Sequence, residues 1–367
     1  MQQIRFLTSQ NEFFNTLNKR VNAYFQTNHI TRYANGAMVF KTVVMFSLYF
    51  VPYGLLVGSV VTSTPGVLLL YVVMGFGIAG IGLSIMHDAN HGSYSPKSWL
   101  NDLLGFSLNL VGGHAFNWKV QHNVLHHTYT NIEGVDEDIT PRGVLRFSPH
   151  SAWKPYHRYQ YLYAWFFYGL LTFVWVVAKD FERLIKYERE GLVKKQRTTA
   201  AKEWAVMLGS KLVYIGYVFY IPMTVANISL GMALAGFFIM HYISGFILAI
   251  IFQPAHVIEG TEFPMPSAEG NIDNNWAIHQ LHTTTNFAHG NRVLSWYVGG
   301  LNYQVEHHLF PNICHVHYRP LSRIVEETAR EFGLPYKKKD TFFGALAAHT
   351  RVLKMLGQKP AADLQPA

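Results

Sequence analysis

Residues 65–91 read PGVLLLYVVMGFGIAGIGLSIMHDANH: 22 residues without a charge, then two histidines four apart. A run that long crosses ~30 Å of hydrocarbon as a helix of ~20 residues. On such a helix His87 and His91 share one face, so both rings can reach one ion. Three more runs have the same character, at 38–60 (MVFKTVVMFSLYFVPYGLLVGSV), 205–228 and 231–253. The connectors VTSTP and SLG are hairpin-turn length. Two weaker stretches, 100–116 and 160–178, need a separate decision.

Composition agrees with a membrane protein. Of 367 residues, 50% are hydrophobic and only 14% charged, against about 25% charged in a soluble domain. Mean hydropathy is +0.09. A disordered chain, a disulfide scaffold and a soluble enzyme are excluded. The one cysteine, Cys314, leaves no internal disulfide and no thiolate metal site. The net charge of +8 suits anionic lipid or an acidic protein partner; nucleic acid is not expected, because the basic residues lie beside apolar spans. Residues 1–37 are polar and amphipathic, without the apolar core of a signal peptide.

Charge asymmetry orients the chain. Lys179 to Lys202 holds eight Lys/Arg, and the first 32 residues hold Arg5, Lys19, Arg20 and Arg32. The hairpin turns hold none. Positive-inside bias places the N-terminus and 179–204 in the cytoplasm. Residues 100–116 and 160–178 then lie in the interface or re-enter, so that every histidine cluster stays on one side. The expected fold is an all-α integral membrane protein. Four transmembrane helices form two hairpins, joined by interfacial or re-entrant helices and a cytoplasmic helical cap holding a histidine-rich di-metal site. The segments are an amphipathic cytoplasmic N-terminus (1–37), a membrane domain with three histidine clusters (38–340), and a C-terminal helix with a frayed tail (341–367).

The second cluster is His122-Asn-Val-Leu-His126-His127; His122 and His126 are expected on one helix face, with His127 rotated by about 100° toward a second ion. The third is Gln304-Val-Glu-His307-His308. His256 lies where the fourth span leaves the membrane. A lone pair of histidines at helical spacing is usually chance. Several clusters at the ends of spans are not, because ionisable groups at membrane depth are costly and mark function. Imidazole without thiolate suits iron, copper or zinc, and eight histidines exceed what one ion takes, so two metals are expected. The remaining histidines read as structural. His241, mid-span, is a hydrogen-bonded core or tunnel residue, and His29, His150, His157 and His349 are solvated or interfacial. His279, His282 and His289 lack partners at ligand spacing but could support the ligands from behind; His114, His315 and His317 lie near the clusters in sequence and are not expected as ligands.

Across residues 36–335 the chain resembles the membrane-bound fatty acid desaturases. The motifs are HDANH, HNVLHHTYTNI and GGLNYQVEHHLFPNICHVHY, in that order and spacing. The glutamine opening the third box is similar to the front-end, delta-6-like subgroup, which desaturates between an existing double bond and the carboxyl end. The resemblance implies two non-haem iron ions with dioxygen as co-substrate, ligated by His87, His91, His122, His126, His127, His307 and His308. It implies Gln304 as a weaker ligand or a holder of bound water, and His256 as an additional ligand. The second box, HxxxHH, is one residue longer than the HxxHH of the acyl-CoA branch. The substrate implied is a fatty acyl chain on a lipid or CoA, met in the membrane lipid itself. No His-Pro-Gly-Gly haem motif occurs, and residues 1–37 are too few for a fused cytochrome domain. A separate electron donor, a ferredoxin or free cytochrome, is therefore expected, in a bacterial inner membrane with the metals on the cytoplasmic side. A related di-iron hydroxylase, acetylenase or ketolase shares the same boxes. A metal transporter would need midplane ligands, where only His241 lies.

Overall fold

The computed structural model describes residues 4–7, 11–140 and 143–360; most of the tail expected to fray, 361–367, lies outside the described residues. The chain forms two compact units that interleave in sequence. One gathers Met1–Ala34, Gln121–Trp165 and Ile250–Ala367, and the other Asn35–Val120 and Phe166–Ala249.

In the second unit, helix α2 (Gly36–Val57) opens on Asn35, whose side chain accepts from Met38 N at 3.1 Å. Such a cap satisfies one of the free N–H groups of a helix start. Helix α3 (Thr64–Asn90) opens with Pro65 in its first turn. Its last turns contain a π-helical stretch, Ile81–Ile85, immediately before His87. Helix α7 (Ala200–Val225) and helix α8 (Leu230–His256, which continues into the first unit) complete four helices long and apolar enough to cross a membrane. Between α3 and α7, residues 115–129 form helix α4, and Pro155–Gly169 (α5) and Leu171–Arg189 (α6) are bent by 59° at their junction. That pair is a broken span or a re-entrant loop, and counting it as one span gives five. The 100–116 stretch holds the short helices Ser98–Gly105 and Ser107–Leu110 and the first residues of α4.

Apolar helices in lipid gain little from burial against one another, so close backbone approach matters. A Cβ on Gly77 of α3 would lie 2.7 Å from Tyr49 N of α2, and one on Gly75 would lie 2.7 Å from Met240 O of α8. His241 is the core residue expected of it: Tyr214 OH lies 2.6 Å from its Nε2 and Thr172 Oγ1 3.3 Å from its Nδ1. Beside it, buried Lys211 donates to Asp180 Oδ2, Gly112 O and Val176 O at 2.8–2.9 Å.

The first unit has its own apolar core. Helix α1 (Glu12–Thr27) buries Phe13, Leu17, Val21 and Phe25 at four-residue spacing. They pack with helices α9 (Trp276–Thr283), α10 (Gln304–Leu309) and α11 (Tyr318–Glu331) through Leu281, Val305, Leu309, Leu321 and Val325. Arg20 closes this contact with a bidentate pair to Glu331 at 2.9 and 2.6 Å. The C-terminal helix α12 (Phe342–Leu356) belongs to the same unit.

The described residues are mostly helical, as expected; in addition β1 (Arg5–Phe6) pairs in parallel with β2 (Asn271–Ile272), and β3 (Asn286–Phe287) with β4 (Lys338–Lys339). These two-residue ladders satisfy backbone groups where loops cross. Two expectations are corrected. His157 and His349 are buried, not solvated, because carbonyls take their ring protons: Gly143 O at 3.0 Å and Val257 O at 2.6 Å. The second correction concerns helix phase in α4 and belongs to the metal centre.

Replacing Gly77 by Val forces α2 and α3 apart. Overpacking of this kind costs about 1–3 kcal/mol, so the variant should melt measurably below the wild type in detergent; an unchanged melting temperature would refute the close contact.

Candidate metal centre

Within the first unit, six imidazoles are buried together: His122, His126, His127, His256, His307 and His308. Helix α4 supplies three of them through a π-helical stretch, Lys119–His126. A π-helix bonds i to i+5 and so widens the turn, and such segments concentrate at functional sites. The consequence is a change of partner. His122 lies closer to His127, five residues on, than to His126: their ring centroids are 4.7 and 5.4 Å apart respectively. An ideal α-helix would pair His122 with His126, as the four-residue spacing suggested.

Two groups of ring nitrogens result. In one, His127 Nε2 lies 3.2 Å from His122 Nε2 and 2.9 Å from His307 Nε2. In the other, one nitrogen each from His126, His256 and His308 lies within 4.8 Å of the rest. The groups overlap: His308 stacks on His127 with centroids 4.3 Å apart, ligand atoms of His127, His307 and His308 lie within 4.8 Å of one another, and so do those of His122, His126 and Asp138.

Outer partners fix which nitrogen faces inward. His126 Nδ1 donates to Asp136, at 3.0 and 3.2 Å from its two oxygens. His256 Nδ1 donates to Thr283 O at 3.2 Å, and His308 Nδ1 to Gln280 Oε1 at 2.8 Å. His307 Nδ1 meets Tyr318 OH at 3.2 Å. With each Nδ1 engaged, Nε2 is left for the interior, the arrangement by which proteins orient metal-bound imidazole. His256 Nε2 is buried and makes no hydrogen bond. In the other group His127 Nε2 faces two further Nε2 atoms, and a neutral imidazole carries a single N–H. A divalent cation could be held by either group, and the donor set of imidazole without thiolate fits iron, copper or zinc. The cluster is compatible with a two-metal site.

Asp136 is fully buried and is itself fixed by Asn131 N at 2.8 Å and Asp138 N at 2.9 Å. Burial pulls the His126 pKa down, but Asp136 and Asp138 outweigh it and raise the value to about 9. Glu306, inside the third box, is held by Tyr336 OH and Asn286 Nδ2, both at 2.9 Å. Burial still pushes its carboxyl up to about 7.

The other expected residues fall as follows. Gln304 is buried against His256, its amide nitrogen donating to Leu301 O at 2.7 Å. In the second unit, His87 and His91 lie side by side with centroids 4.8 Å apart, and both rings pack against Trp118. His279 is an outer residue, its Nε2 donating to Thr130 O at 2.8 Å. His282 pairs with Glu262 and His289 stacks on Tyr303. Asp136 and Gln280 were not marked by any motif, whereas Thr130 and Tyr318 lie inside the second and third motifs, where no role was read for them. Asp136 follows the second box within ten residues in an acidic run, a usable signal; Gln280 is distant in sequence and gives none.

Comparison with known proteins is decisive about kinship. The sequence model of the fatty acid desaturase family matches residues 62–340. An sn-1 linoleoyl-lipid 6-desaturase of Arthrospira platensis is 38% identical over 352 residues, covering 95% of this chain and 93% of that protein. A second protein of that name, from Synechocystis, is 38% identical over 358 residues, covering 97% and 98%. An acyl-lipid (8-3)-desaturase of Physcomitrium patens is 36% identical over 360 residues, covering 96% of this chain and 74% of its own length.

A metal that binds His126 must displace the proton Asp136 favours there. Apparent metal affinity should therefore rise by up to about tenfold per pH unit toward pH 9. Asp136→Asn removes that dependence and weakens binding by about 10–100-fold, as competition with a chelator across pH would read. Equal affinity in both proteins would exclude Asp136 from the site.

Proposed function

The chain belongs to the fatty acid desaturase family, and from that premise we propose that it inserts a double bond at the delta-6 position of a linoleoyl chain carried on a membrane glycerolipid. That it is a front-end-type membrane desaturase, an oxidoreductase of acyl chains, rests on the kinship just described. The position and the lipid carrier are supported by the two relatives whose names specify them, matched over almost their whole lengths.

The proposed ligands are His87, His91, His122, His126, His127, His256, His307 and His308, with Gln304 holding a weaker position or a water. Two non-haem irons are the proposed metals. When bound, they would activate dioxygen for attack on an unactivated methylene, which has no acidic proton for acid–base groups to remove. Asp136, Gln280, Tyr318 and Thr283 O hold the imidazoles in one tautomer, and burial of the rings keeps water from the reaction. Overall, two vicinal hydrogens leave the chain, dioxygen takes up two electrons and two protons, and two waters form.

The electrons come, in this proposal, from a separate small redox protein, a ferredoxin or free cytochrome. Basic residues between Lys179 and Lys202 would speed the approach of an acidic donor. The same charge bias supports two hairpins with the metal site and N-terminus on the cytoplasmic side; the membrane proposed is a bacterial inner membrane.

Expression in a host lacking desaturases, fed linoleate and supplied with a ferredoxin pair, should yield a triene with its new bond at carbon 6, found in the glycerolipid fraction. His307→Ala with His308→Ala should abolish it. A product 16 mass units heavier would replace desaturation by hydroxylation, and a triene only on CoA would overturn the carrier.

A further inference from the structure

Asn131 stands just past the second box and touches none of the imidazole nitrogens, yet it ties together the supports of two of them. It is fully buried, with a positive φ of 59°. Its side-chain nitrogen faces three carbonyls: His256 O at 2.9 Å, Glu262 O at 3.0 Å and Thr283 O at 3.4 Å. Thr283 O is also the acceptor for His256 Nδ1. Its backbone N–H donates to Asp136, the carboxylate that orients His126. Its own Oδ1 is buried without a hydrogen bond. Fully paired burial is the rule for polar groups, and an exception needs a reason.

We infer that Asn131 is the positioning residue for one of the two metal sites, the one built from His126, His256 and His308. This rests on the two-metal reading above. The side-chain amide clamps the end of α8, which carries His256, to the carbonyl that sets its ring; the backbone clamps Asp136 and through it His126. The group formed by His122, His127 and His307 has no contact with Asn131 in this network. Loss of the amide should therefore empty one site and spare the other.

The test uses the full-length protein in detergent or nanodiscs, loaded with ferrous iron. Asn131→Gly keeps the positive φ, which glycine adopts freely, and removes only the side chain. Iron per chain should fall from about two to about one, and the Mössbauer spectrum should change from a coupled pair to an isolated ion. A merely structural residue would lower both occupancies together. If Asn131→Gly does not fold, Asn131→Ser, which can still donate to one carbonyl, is read in the same way. Two irons retained, or both lost together, overturns the inference. Fewer than two irons in the wild type overturns the two-metal reading instead.

Discussion

Burying an imidazole costs its hydration, and each ring brings two nitrogens that must be satisfied. Six such rings packed within one unit set the terms for everything around them. Four of the six, His126, His256, His308 and His307, have an acceptor or hydroxyl placed behind the ring at Nδ1, supplied by the first unit: Asp136, Thr283 O, Gln280 and Tyr318. Those supports are then held in turn, Asp136 by backbone amides and Gln280 by Thr130. Ring nitrogens of the cluster face one another inside it, where cations would meet them.

Much of this was legible in the sequence. The four long apolar runs became four span-length helices within a few residues of their expected ends, because apolar runs of ~20 residues with at most one lysine each have few other solutions. The amphipathic N-terminus became α1, its apolar stripe at four-residue spacing. The histidines of the second and third boxes, and His256, were gathered into one buried cluster.

The rest was hidden for physical reasons. The π-helical turn in α4 changes which histidines adjoin, and no local residue pattern announces it. His157 and His349 looked like solvated surface histidines, since a carbonyl from a distant loop cannot be seen in a composition. Gln280 acquires its task only from the tertiary fold. Spacing identifies the ligating residue types; long-range hydrogen bonds decide what each ring faces.

The contact between α1 and α11 has a consequence for how the protein is made. Arg20 and Glu331 are 311 positions apart, so the apolar face of the first helix emerges from the ribosome long before its permanent cover exists. At ~5–20 residues per second that interval is roughly 15–60 s. During it, Phe13, Leu17, Val21 and Phe25 need a temporary shelter, and the membrane surface into which α2 inserts next is the nearest apolar phase. Closure of the histidine-bearing unit is thus a late event in biogenesis, after the spans are already in place.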